Sequence, residues 1–84
     1  MKKFETELPE NYDALKKQAN YTSSWRDRLN AVQALSAYKH EKIIDLLNNR
    51  MQNDTVYKVQ IAAYEALVAF GEKVEKPAPA RFDI

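Results

Sequence analysis

The sequence predicts an all-α fold: an α-solenoid fragment of two stacked antiparallel helical hairpins, four helices in all, followed by a flexible C-terminal tail. Three observations carry this. Apolar residues recur at spacings of three and four in four separate segments, which is the periodicity of a half-buried helix. The only glycine is Gly71 and the prolines are Pro9, Pro77 and Pro79, so nothing between Glu10 and Phe70 forbids helix. Finally, "WRDRLNAVQALSAY" from Trp25 is answered thirty-two residues later by "YKVQIAAYEALVAF" from Tyr57.

The elements follow in order. In "LPENYDALKKQAN", Leu8, Tyr12, Leu15 and Ala19 form one stripe, and Pro9 suits a first turn, predicting helix one. "YTSS" breaks the pattern, and Ser24 with Asp27 three residues later resembles a capping box before helix two, expected over Trp25 to Tyr38. Ile43, Ile44, Leu47 and Met51 make the stripe of helix three, with Glu41 early and Arg50 late as the helix dipole prefers. "QND" stops it, and Asp54 is the expected N-cap of helix four, from about Thr55 to Phe70, with Gly71 at a position suited to C′. The short loops make consecutive helices antiparallel neighbours. The predicted domain is 1–71, with repeats at about 9–38 and 40–70. Residues 72–84, rich in Lys, Glu, Pro and Ala, read as a linker-like tail.

The repeat is residue for residue. A shift of thirty-two pairs Trp25 with Tyr57, Leu29 with Ile61 and Tyr38 with Phe70, while Ala31, Ala34, Leu35 and Ala37 recur unchanged as Ala63, Ala66, Leu67 and Ala69. It also pairs Tyr12 with Ile44 and Leu15 with Leu47, so each unit is a whole helical hairpin. Such a period is the mark of a solenoid, in which each unit buries its apolar face against its neighbour. The chain here resembles the HEAT-like repeat family, whose units carry an Asp in the turn and a second helix reading roughly V-R-x-A-A-x-x-A-L. "VQIAAYEAL", Val59 to Leu67, fits that register with Asp54 in the turn, and "DRLNAVQAL", Asp27 to Leu35, fits it less closely. Asp27 stands where the family has an apolar residue, Thr22 where it has the turn Asp and Gln60 where it has Arg, whereas Arg28 keeps the Arg. The resemblance implies a protein-binding scaffold, adaptor or regulatory subunit. The alternatives are a nucleic-acid-binding HEAT-like domain or an accessory lyase-type protein.

Composition narrows the function. Thirteen Lys and Arg against twelve Asp and Glu give a net charge of +1, without the basic excess that a phosphate-binding surface needs, which argues against nucleic acid. One histidine, His40, and no cysteine leave nothing from which to build a His/Cys metal cluster or a Cys–His pair, and a lone glycine excludes Gly-rich phosphate loops. Glu41 and Asp45 share a helix face but read as solvated carboxylates. No enzyme activity, cofactor or metal is expected. The absence of cysteine fits a reducing compartment, "MKKFETELPENY" lacks an apolar core and no run approaches a membrane span, so the expectation is a cytoplasmic protein with no membrane contact.

Two surfaces are candidates for a protein partner. The first is the outward stripe of helices two and four, Arg26, Asn30 and Gln33 with Lys58, Ala62 and Glu65 at the paired positions. Trp25 beside Arg26 and Arg28 also admits a nucleic-acid reading, but its pairing with Tyr57 makes it a core or hairpin-capping aromatic. The second is helix four itself, because Ser24, Asp27, Asn30 and Ser36 become Val56, Val59, Ala62 and Val68. A helix apolar nearly all round needs cover. Val56, Val59 and Val68 are therefore candidate apolar contacts, covered by the tail through Val74 and Phe82, by a second copy of the chain in a homo-oligomer, by a further domain beyond Ile84, or by another protein.

Overall fold

The computed structural model describes residues 7–79, which contain four helices and no strand: α1 Tyr12–Tyr21, α2 Trp25–Leu35, α3 Glu41–Asn53 and α4 Tyr57–Ala69. Helices α1 and α2 form one hairpin and α3 and α4 the next; α2 packs along α4 and α1 lies more lightly on α3. The thirty-two-residue repeat is thus a stack of two hairpins, one layer made of α1 and α3 and the other of α2 and α4.

Local chemistry sets most of the ends. The Ser24 hydroxyl accepts from the Asp27 N–H at 3.4 Å, so one half of the expected capping box forms. His40 caps α3, its Nδ1 accepting from the Lys42 N–H at 3.0 Å. Gly71 has φ +89°, and the Gly71 and Glu72 N–H groups donate to the Val68 and Leu67 carbonyls, both at 2.9 Å, which makes the end of α4 a Schellman motif. Helix α2 stops at Leu35 rather than Tyr38: the Ser36 N–H is shared between the Val32 and Gln33 carbonyls, the Ser36 hydroxyl takes the Gln33 carbonyl at 2.6 Å, and the Tyr38 N–H reaches Leu35. Pro9 lies just outside α1, in a turn in which its carbonyl accepts from the Tyr12 N–H at 3.0 Å.

The core is one continuous cluster with Leu35, Ile43, Leu47, Leu67, Val32 and Val59 as its largest fully buried side chains. Small Ala31, Ala63 and Ala66 lie between them and allow close helix approach. Val59 is fully buried, which corrects its assignment as a contact for an outside partner. It shares a helical stripe with Ala62 and Ala66, which stand beside Gln33 and Ser36 of α2, so the polar-to-apolar changes from Asp27 and Asn30 to Val59 and Ala62 mark the junction between repeats. Val56 is half-buried against the core as the α4 N-cap residue, and Val68 alone of the three stays exposed, at 48%.

The segment after Gly71 does not leave the domain at once. Val74 packs on the core cluster, and the Tyr57 hydroxyl donates to the Pro77 carbonyl at 3.1 Å, so residues 72–79 run back toward the start of α4 as a non-helical strap. Phe82 and Ile84 lie outside the described residues.

Candidate functional site

The side chain that organises the molecule is Asp54. It was expected to cap α4, but α4 begins at Tyr57 with Val56 as its N-cap residue, and Asp54 instead lies buried between the repeats. Its Oδ1 accepts from the Val56 N–H at 2.9 Å, which fixes the turn after α3. Arg28 of α2 reaches across the junction and grips both oxygens, Nε to Oδ2 at 2.9 Å and Nη2 to Oδ1 at 3.2 Å, while Nη1 donates to the Thr22 and Ser23 carbonyls at 2.7 and 3.1 Å. Arg50 adds a bond from Nη1 to Oδ2 at 3.3 Å. Gln60 Nε2 closes the cluster by donating to the Asp54 backbone carbonyl at 2.6 Å. Bidentate arginine on a buried carboxylate fixes geometry as well as charge, so this cluster sets how the second hairpin sits on the first.

Sequence reasoning noted that Arg28 keeps the family's Arg and weighed it as a cation beside Trp25, but missed its pairing with Asp54. The signal was present. Of the two turn positions only Asp54 is acidic, and of the two second-helix arginine positions only Arg28 is kept; these are the two residues that meet across the junction.

With the second hairpin fixed in this way, α2 and α4 run side by side and leave a shallow groove. One stretch, about 310 Å³, is lined by Leu29 and Gln33 of α2 and by Tyr57, Lys58, Ile61, Ala62 and Glu65 of α4. It continues past Ser36, Ala66 and Ala69. Of the six residues expected to bind a partner, Gln33, Lys58, Ala62 and Glu65 are brought together here. Ala62 is half-buried on the floor, and the other three are exposed. Arg26 and Asn30 are exposed but do not line the groove. Arg26 lies over the Trp25 ring, 5.2 Å from its centroid, and Lys58 lies 5.3 Å from the same centroid, so Trp25 is half-buried with two cations of the chain already on it.

A family model of HEAT repeats matches residues 12–80, most of the chain. The chain belongs to the HEAT-repeat family. In HEAT terms, α1 and α3 are the first helices of the two repeats and α2 and α4 the second. No curated protein and no solved structure matches the chain. Among the described residues, no group of His, Cys, Asp or Glu is placed to hold a metal ion, and no helix is long and apolar enough to cross a membrane.

Proposed function

We propose that this HEAT-repeat chain is a non-catalytic protein-binding module, a scaffold, adaptor or regulatory subunit of the cytoplasm, that docks its partner in the groove between α2 and α4. The observation carrying this reading is the groove itself: an apolar floor from Leu29, Ile61 and Ala62, with Gln33, Lys58 and Glu65 as polar groups at its edge. An apolar surface rimmed by a few oriented polar groups is the usual anatomy of a protein contact. HEAT repeats in general mediate protein–protein contacts, and that family habit supports the same choice. The nucleic-acid alternative has less behind it, since the one tryptophan is occupied by Arg26 and Lys58 and the net charge is +1.

The test is affinity purification from the source cell with wild type, Ala62→Arg, and Asp13→Lys on the distant exposed face of α1, with helix content checked by circular dichroism. The expected result is a specific protein retained by wild type and by Asp13→Lys and lost with Ala62→Arg. A partner retained equally by all three overturns the groove as its site.

A further inference from the structure

The groove between α2 and α4 changes along its length. At the end nearer the starts of the two helices, half-buried Leu29, Tyr57 and Ile61 surround a hollow of about 310 Å³. Further along, the floor is Ala62, Ala66 and Ala69 with Ser36 opposite, so nothing larger than a methyl or a hydroxyl rises from it. The first stretch accepts a large apolar side chain, and the second suits the close approach of a small one. A stripe of alanines on its own names no ligand, but the charges at the rim are graded the same way. Lys58 stands at the hollow, its ammonium 5.3 Å from the centroid of the Trp25 ring, on which Arg26 also lies. Glu65 borders the alanine stretch and, among the described residues, has no ion pair. It stands seven residues after Lys58, two helical turns or about 10 Å along the groove. The groove is therefore hollow and cationic at one end, flat and anionic at the other.

Hydrogen-bonding capacity separates an extended occupant from a helical one. An extended chain would lay an unpaired N–H and C=O per residue over this floor. The backbones of α2 and α4 are spent within their own helices. The Ser36 hydroxyl donates to the Gln33 carbonyl at 2.6 Å and the Tyr57 hydroxyl to the Pro77 carbonyl at 3.1 Å, which leaves the Gln33 amide as the groove's one uncharged donor. A helix arrives with its backbone already satisfied, and its residues seven apart fall at the spacing of Lys58 and Glu65.

We propose that the occupant of this groove, which rests on reading it as the docking site, is a single amphipathic helix of a partner protein. That helix carries a large apolar residue with an acid beside it over Leu29, Tyr57 and Ile61, and small residues with a base beside them over the alanines, two turns away. Because the shape and the charge of the groove are graded together, laying the helix in the opposite direction does not repair a mismatch between its own bulk and charge.

The test is fluorescence anisotropy of the full chain with labelled peptides of about fifteen residues, stapled on the outward side because isolated helices of this length are marginal in water. The matched peptide carries Leu and Glu at one end and Ala and Lys seven residues on. A second exchanges only Glu and Lys, and a third, unstapled, has a central Pro. The matched peptide is expected to bind about tenfold tighter than the exchanged one, since two rim attractions become repulsions. Lys58→Glu with Glu65→Lys is expected to reverse that order, Ala62→Arg to abolish binding, and the proline peptide not to bind. Equal binding of matched and exchanged peptides, no reversal in the double variant, a proline peptide as tight as the matched one, or no binding of the matched peptide overturns the helix as occupant. So does a chain that is dimeric in solution and becomes monomeric with Ala62→Arg, since the groove then holds a second copy. Affinity purification separates the two readings. A partner lost with Ala62→Arg but indifferent to the double charge exchange keeps the groove and overturns the helix, whereas a partner retained by Ala62→Arg overturns both.

Discussion

Helix α2 carries Asp27 and Asn30 where α4 carries Val59 and Ala62, and the two helices have different surroundings at those positions. On α2 that side is exposed. On α4 it is the junction, with Val59 fully buried and Ala62 beside Gln33 and Ser36 of α2. Repeat one is therefore polar on the side turned away from its neighbour, and repeat two is apolar on the side turned toward it. In a solenoid, terminal units need such polar outer faces. The comparison teaches that a polar-to-apolar change between repeats identifies an interface but not its direction. The apolar copy can be covered by the repeat before it rather than by something beyond it.

The largest expected effect comes from erasing this difference. Val59→Asp places repeat one's residue in repeat two, burying a carboxylate in the apolar core, and should cost about 4 kcal/mol, enough to unfold a domain this small. The reciprocal Asp27→Val on the exposed side should change stability by less than about 0.5 kcal/mol beyond the effect on the α2 first turn. Urea midpoints of the two variants check the pair, and equal losses would mean that the two sides are not different in kind.

The turns differ as the helices do. Asp54 holds the second turn and receives two arginines, whereas Thr22 in the first contributes its backbone carbonyl to Arg28. Asp54→Ala leaves the Arg28 guanidinium buried without its carboxylate and should cost about 3 kcal/mol, since breaking a buried pair strands the other charge. Thr22→Ala should cost less than about 0.5 kcal/mol. A double-mutant cycle of Asp54→Ala with Arg28→Leu should recover part of the loss, and strict additivity would show that the two repeats are not joined through this pair.

The ends of the second helices give a smaller contrast. Gly71 closes α4 at φ +89°, while Lys39, its counterpart after α2, shares the negative φ of every other non-glycine among the described residues. A Cβ at Gly71 would meet nothing within 4 Å, so Gly71→Ala costs only the strain of the left-handed backbone, about 1 kcal/mol, read as a lower urea midpoint.

The helical hairpins, the Ser24 cap and the Gly71 stop were legible in the sequence because each rests on local chemistry: periodicity, a hydroxyl near an orphan N–H, a residue without Cβ. Helix α2 ran short of Tyr38 because the Ser36 side chain competed with the helix for the Gln33 carbonyl, a choice periodicity does not register. The direction in which Val59 faces was not legible, since a helical wheel says that a side is apolar without naming the neighbour. Gln33, Lys58, Ala62 and Glu65 were found as a stripe because paired register positions on stacked helices do become neighbours. Arg26 and Asn30 were not brought into the groove, because the stripe chosen on α2 is broader than the side that borders α4. The Arg28–Asp54 pair needed one further step, noticing that each repeat keeps only the partner that faces the other.

That last point sets the smallest and most discriminating test. Gln60→Arg restores in repeat two the residue that clamps repeat one. If an arginine at this position stabilised the hairpin by itself, the variant would gain stability. The surroundings argue otherwise. Both oxygens of Asp54 are already bonded, to Arg28, to Arg50 and to the Val56 N–H, and a third guanidinium beside them brings like charge without a free acceptor. The Gln60 bond to the Asp54 carbonyl, at 2.6 Å, would be lost or replaced. The expected outcome is therefore a loss below about 1 kcal/mol, the net worth of one hydrogen bond. A gain in the urea midpoint would show that the arginine serves its own hairpin. A loss supports the reading that the arginine of repeat one serves its neighbour, through Asp54.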